Sequence, residues 1–216
     1  MNEEHTLPSE QRDFVEWHRG RPHYAVWAVA LDDAAIDARL DQLRAALQPL
    51  LLPDYRRRPH VTLQLCGFVV DKPRQDDEFG PQRLQAQADA LARLRLPPFE
   101  LGISGAFSFA SAACLAVQDP SGSLARLRAA LSQAAASGDA TPYVPHVTAG
   151  LYRGAWPMRE VRQRLQALPS LPEIAVPVTQ LDWMCYDTAL IDGPLRTLQR
   201  FELRSGRGGA QSPLPS

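Results

Sequence analysis

Residues 59–65 read PHVTLQL, and residues 145–151 read PHVTAGL. The shared pattern, Pro-His-Val-Thr-x-x-Leu, carries the β-branched residues that favour a strand. Proline before each histidine disfavours helix and helps set the strand start. Side chains on a strand alternate between faces. His60 and Thr62 therefore point one way, and Val61, Leu63 and Leu65 point the other. In the second copy His146, Thr148, Gly150 and Tyr152 share a face, while Val147, Ala149 and Leu151 face away. The aliphatic set is expected in the core. The imidazole and hydroxyl then share the opposite face about 7 Å apart, a gap that one phosphate bridges with an oxygen on each group.

Outward from these strands the elements alternate. HYAVWAVAL (23–31) reads as a buried strand, and Asp32 and Asp33 open a helix over 34–47 with Ile36, Leu40, Leu43 and Leu47 on one face. The first motif strand runs over 60–69, followed by the charged loop DKPRQDDEFG and a helix over 81–94. Strands at 99–107 and 113–118 come next, then a helix capped by Ser121 or Ser123 and ending near Ala136. A loop with Gly138 and Pro142 leads to the second motif strand over 143–152, and a helix follows over 157–168. Strands at 174–186 and 196–203, joined by a turn at Gly193-Pro194, close the chain. Each half thus offers a helix, a PHVT strand, a helix and a strand pair. This predicts an α+β fold of two pseudo-symmetric lobes, with two antiparallel sheets around a central cleft and helices outside. Residues 1–22 form an N-terminal arm with a short helix capped by Ser9, residues 23–204 the bilobal domain, and residues 205–216 a disordered Gly-, Ser- and Pro-rich tail.

Composition narrows the function. The net charge of −1 argues against coating long nucleic acid, which requires many neutralised phosphates. A small site for one or two phosphates remains open. Lys72 is the sole lysine, so the cations are nearly all arginine, a side chain suited to bidentate phosphate contact. Three scattered cysteines, Cys66, Cys114 and Cys185, read as buried thiols in a cytoplasmic protein. No apolar run is long enough to span a membrane, and the acidic N-terminus is no secretory signal.

Two motif strands placed side by side would bring two imidazoles and two hydroxyls to one cavity. Histidine titrates close to neutrality, so one ring can act as base and the other as acid. Threonine hydroxyls can donate to non-bridging phosphate oxygens where charge develops. Opening a 2′,3′-cyclic phosphate needs that division of labour and no metal or other cofactor.

His60-Val61-Thr62 and His146-Val147-Thr148 resemble the two His-x-Thr/Ser motifs of the 2H phosphoesterases, and within them the 2′-5′ RNA ligase-like proteins. The element order over 23–203 is similar as well. The resemblance implies a cyclic phosphodiesterase acting on RNA ends or related nucleotides, with His60 and His146 as the acid–base pair and Thr62 and Thr148 binding phosphate. It favours His60 as the acid. Ligase activity is a weaker implication than cyclic phosphate opening. The expected partner is a nucleotide with a cyclic phosphate or an RNA terminus, and the expected state is a monomer. Family members often carry a basic residue after the second motif; here AGLYR leaves Arg153 as the nearby candidate.

Tyr152 and Phe107 (or Phe109) are further candidates for substrate contact. The run Arg56-Arg57-Arg58 reads first as a solvated loop and second as a lure for phosphate at the cleft mouth. Asp76-Asp77-Glu78 reads as a solvated turn. A zinc reading needs His60 and Cys66 on one strand face with His146 as a third ligand, at spacings unlike common zinc sites. A module that binds nucleotide or RNA ends without turnover is the alternative to an enzyme.

Overall fold

In a computed structural model of the chain, residues 4–135, 142–190 and 192–204 are described. The expected tail and Gly138 lie outside these residues. The described elements are α1 (Val15–His18), β1 (His23–Ala30), α2 (Ala34–Leu47), β2 (His60–Val69), β3 (Glu78–Phe79), α3 (Pro81–Leu94) and β4 (Phe99–Ser108). They continue with β5 (Ala112–Gln118), α4 (Ser123–Ala135), β6 (His146–Leu151), α5 (Met158–Gln166), β7 (Ile174–Val178), β8 (Gln180–Asp187) and β9 (Arg196–Glu202). None of the described helices is long and apolar enough to cross a membrane.

The fold is α+β, with a curled antiparallel sheet. Two four-stranded halves, β7-β4-β5-β6 and β2-β1-β8-β9, join through β6 and β2 into one sheet. The join rests on a single register pair, Val61 with Val147. The two expected sheets are these halves, fused where the motif strands meet. A short parallel strand, β3, also pairs with the end of β2.

The halves of the sheet are not the halves of the sequence. The stretch read as one strand over 174–186 is two, broken at Thr179. β7 pairs with β4 in the half holding His146, and β8 pairs with β1 in the half holding His60. The alternation of Ile174, Val176 and Val178 slips by one residue at Thr179 and resumes at Leu181 and Trp183, a phase change that falls at the break. Leu203 N–H bonds the Thr179 carbonyl at 2.8 Å, which ties the crossing point to the end of β9.

Helix α2 begins where Asp33 Oδ1 accepts from the N–H groups of Ala35 and Ile36, which satisfies two otherwise orphaned donors. Its Ile36, Leu40, Leu43 and Leu47 are all buried. They join Trp27, Val61, Leu63, Val147 and Leu131 in one core cluster. A buried polar tie crosses this core, with Trp27 Nε1–H donating to Gln87 Oε1 at 2.7 Å.

Both motif strands depart from strict alternation. The β1–β2 register shifts between Ala25 and Val26 and again between Trp27 and Ala28. The extra residues in β2 turn Cys66 into the core cluster and leave Leu65 59% exposed, against the expectation that Leu65 is buried. Such bulges rotate the side chains that follow them. Gly67 carries the turn at φ +125. A Cβ there would meet the Asp77 carbonyl at 2.5 Å.

The N-terminal residues are bound along both halves. Thr6, Leu7 and Ser9 donate backbone N–H groups to Trp156, Ala110 and Tyr152, and Trp17 then stacks on Tyr24 at 5.4 Å. The short helix starts at Val15 after Phe14 with no side-chain cap, so Ser9, whose N–H bonds the Tyr152 carbonyl, does not cap it. Glu78 is buried and accepts from Arg74 N–H at 2.6 Å, while Asp77 holds Arg21 at 2.8 Å. The expected solvated acidic turn is therefore a structured one, with Glu78 and Phe79 in β3.

Candidate active site

The Val61–Val147 pair sets the site. In an antiparallel register, residues flanking a pair also face one another. His60 therefore lies across from Thr148, and His146 across from Thr62, all on the face opposite the core. The two imidazoles sit on the diagonal of this square, with Cα atoms about 7–8 Å apart. His146 also acts electrostatically on His60.

Both histidines are oriented alike. His60 Nδ1 bonds the Arg58 carbonyl and His146 Nδ1 the Val144 carbonyl, each at 2.8 Å. A carbonyl only accepts, so each Nδ1 carries the proton, and each Nε2 is left for substrate. The two rings differ in environment. His60 is 8% exposed, and burial lowers its pKa to about 4, with Arg57 and His146 adding smaller repulsions against the Arg58 carbonyl. Burial thus favours the neutral ring of His60. His146 is half-buried, with the Phe109 ring edge-on at 5.0 Å.

The threonines are met by tyrosines from the segments leading into the opposite motif. Tyr143 Oη–H donates to the Thr62 carbonyl at 3.0 Å. The Tyr55 phenol and the Cys114 thiol both lie beside the Thr148 side chain. Burial pushes the Tyr55 and Tyr143 phenols up to about 12, so both remain protonated. Neither tyrosine was singled out by sequence reading, although each lies a few residues before a Pro-His pair.

Register extends the site along the sheet. Thr62, Ala28, Asp182 and Arg200 form one row across β2, β1, β8 and β9. Thr148, Cys114 and Phe107 form the corresponding row across β6, β5 and β4. Small residues flank both threonines, and the next position differs: a carboxylate in one half, an aromatic ring in the other. Phe107 packs edge-on to Phe109 at 5.0 Å, so this candidate contact stands one ring from His146. Asp182 is 1% exposed, its carboxyl pushed up by burial and paired with Arg200 at 3.4 Å.

Two candidates fall elsewhere. Tyr152 is fully buried, its hydroxyl bonded to Ser108 Oγ at 2.6 Å. The β5–β6 register shifts between Ala113 and Cys114, and this turns Tyr152 from the motif face into the core cluster. Arg153 opens onto a separate groove with Arg44, Gln48 and Leu52, which none of the four motif residues lines. The arginine run divides. Arg56 and Arg58 are exposed, while Arg57 is half-buried with its guanidinium 4.1 Å from the Tyr186 ring centre. Cys66 packs in the core, away from His60. Among the described residues no three His, Cys, Asp or Glu side chains are grouped to hold a metal ion. The three cysteines are buried and unpaired by disulfide.

A family model for the 2′-5′ RNA ligase superfamily matches residues 32–189, which include both motifs. The chain belongs to this superfamily, and so to the 2H phosphoesterases. No curated protein matches it. Escherichia coli LigT in complex with 3′-AMP is 19% identical, with a TM-score of 0.53 over 85% of this chain and 99% of that one. The protein TT0787 of Thermus thermophilus is 18% identical, with a TM-score of 0.51 over 85% and 100% of the two chains. A further solved phosphoesterase aligns at 19% identity with a TM-score of 0.53. These likenesses establish a shared fold; the superfamily is one of phosphoesterase- and ligase-type enzymes.

Proposed function

We propose that the protein opens 2′,3′-cyclic phosphates, or cleaves a related phosphodiester at an RNA end, with His60 and His146 as its acid–base pair and without a metal. One observation carries the reading: the Val61–Val147 register sets each histidine across from the other motif's threonine. A phosphate placed in that square meets two Nε2 atoms and two hydroxyls.

Burial keeps His60 neutral, so His60 is the base. Its Nε2 takes a proton from water as the water oxygen attacks phosphorus. The bond from phosphorus to one ribose oxygen breaks, and His146 Nε2 delivers a proton to that oxygen. Thr62 and Thr148 donate to the non-bridging oxygens, where charge builds in the transition state. Phe109 and Phe107 offer ring surface beside His146 for a base. Complexes of LigT with 3′-AMP, ATP and NADP+ support a nucleotide as the substrate class here.

The test is hydrolysis of a 2′,3′-cyclic mononucleotide in EDTA by the wild type, His60→Ala and His146→Ala. Turnover should survive the chelator and fall about a hundredfold or more in either variant. Turnover that persists in both variants would sink the mechanism. The ratio of 2′- to 3′-phosphate product identifies the leaving oxygen. The low exposure of His60 favours a second reading, a nucleotide-end binding module. Tight nucleotide binding with no hydrolysis by the wild type would select it.

A further inference from the structure

The phosphate carries negative charge, and the segment before β2 supplies an arginine for it. Residues 52–59 run across the two halves of the sheet. Leu52 N–H bonds the Leu151 carbonyl, Arg56 N–H the Asp192 carbonyl, and Leu31 N–H the Pro59 carbonyl. Tyr55 on this segment reaches Thr148 of the second motif. Arg57, two residues on, lays its guanidinium over Tyr186 at 4.1 Å. Tyr186 belongs to the motif side of β8, packed with Val26, Ala28, Met184 and Leu195. Arg57 therefore lies on the motif face of the sheet, three residues before His60.

We infer that Arg57 is the phosphate-anchoring cation of the site, mounted on the Tyr186 ring and gripping the non-bridging oxygens that the threonines share. The inference rests on the proposed function for the identity of the phosphate. Arg58, by contrast, points to Asp32 at 3.4 Å. A planar guanidinium offers paired N–H donors that match two phosphate oxygens, and stacking on an aromatic face pre-orients that fork. Its position also makes protonation of His60 harder before a dianionic or monoanionic phosphate arrives, and easier once the phosphate has neutralised it.

The experiment is a titration of inorganic phosphate into wild type, Arg57→Met and Arg57→Lys, followed by the imidazole C–H resonances of His60 and His146. In the wild type both sets of resonances should move. The half-saturating phosphate concentration should rise about tenfold or more in Arg57→Met and about threefold in Arg57→Lys, where a point charge replaces the fork. The titration midpoint of His60 without phosphate should move up in Arg57→Met, a change that loss of packing alone would not produce. Equal phosphate affinity in wild type and Arg57→Met overturns the inference, as does a wild type whose histidines ignore phosphate. Should the Met variant fail to fold, unchanged affinity in Arg57→Lys overturns it. Weakened phosphate binding in a protein that hydrolyses no phosphodiester would sink the proposed function alone. Hydrolysis by a wild type whose phosphate affinity survives Arg57→Met would sink this inference alone.

Discussion

Tyr143 stands three residues before His146, yet its hydroxyl donates to the carbonyl of Thr62 in the other motif, at 3.0 Å. Tyr55 stands before His60 and lies beside the Thr148 side chain of the second motif. Each motif is thus met by a tyrosine from the far side of the Val61–Val147 join. Arg128 strengthens one tie by stacking on Tyr143 at 3.9 Å while bonding the Leu63 carbonyl. Tyr143→Phe removes one hydrogen bond and leaves a strand carbonyl short of a donor, which should cost about 1 kcal/mol in urea unfolding. Turnover should fall further than that loss accounts for, because Thr62 loses its orientation. A variant with wild-type kcat and wild-type stability would show that the tie is incidental.

Stability should depend on pH through His60. Its pKa is about 4 when folded and near 6.5 when unfolded. Between these values the unfolded chain binds more protons, so stability rises with pH across that window. The contribution is full above about pH 6.5, is lost as pH falls towards 4, and is worth about 3 kcal/mol over the whole span. Urea unfolding of wild type and His60→Gln at several pH values reads it directly. The wild-type slope should flatten in the variant; parallel slopes would mean that His60 is not held neutral by burial.

The motif pair, the helices and the alternation of strands were legible because each has a local cause. Asp33 caps, Ile36 through Leu47 repeat at helical spacing, and Pro-His-Val-Thr recurs. What could not be read is what depends on residues far apart in sequence. The crossing at Thr179 shifts the alternation by one residue, from Val176 and Val178 to Leu181 and Trp183, but only strand pairing reveals that the two pieces join different halves of the sheet. The bulges that expose Leu65 and bury Tyr152 arise from register with β1 and β5, for which strict period-two reading has no signal. Tyr55 and Tyr143 act across the join. Arg57 differs from Arg56 and Arg58 only through Tyr186, about 130 residues away in the sequence.

Gly67 is needed for its backbone. At φ +125 a residue with a side chain is strained, and its Cβ would stand 2.5 Å from the Asp77 carbonyl oxygen. The neighbouring Phe68 N–H bonds that same carbonyl at 2.8 Å, so the oxygen cannot retreat without losing a partner. Gly67→Ala should therefore cost about 2 kcal/mol or more by chemical unfolding, and more than an alanine at Gly105, where nothing lies within 4 Å of the added Cβ. Equal losses at the two positions would contradict the strained conformation.

Val61 and Val147 carry the only register pair between β2 and β6, and both are fully buried. Each truncation to alanine should cost about 1–3 kcal/mol as packing is lost. Because the two side chains share one contact, the double variant should deviate from additivity by about 0.5 kcal/mol or more. The effect on function should exceed the effect on folding. The register places His60 across from Thr148 and His146 across from Thr62, so a loosened pair lets the four groups drift apart. Leu131→Ala provides the control, since Leu131 is equally buried but sits on α4 and not on either motif strand. Thermal unfolding and cyclic phosphate turnover should fall together in Leu131→Ala only as far as unfolded protein accounts for. In Val61→Ala and Val147→Ala, kcat should drop at temperatures where the protein remains fully folded. Matching kcat in all three folded variants would mean that the two halves of the site are aligned by contacts other than this pair.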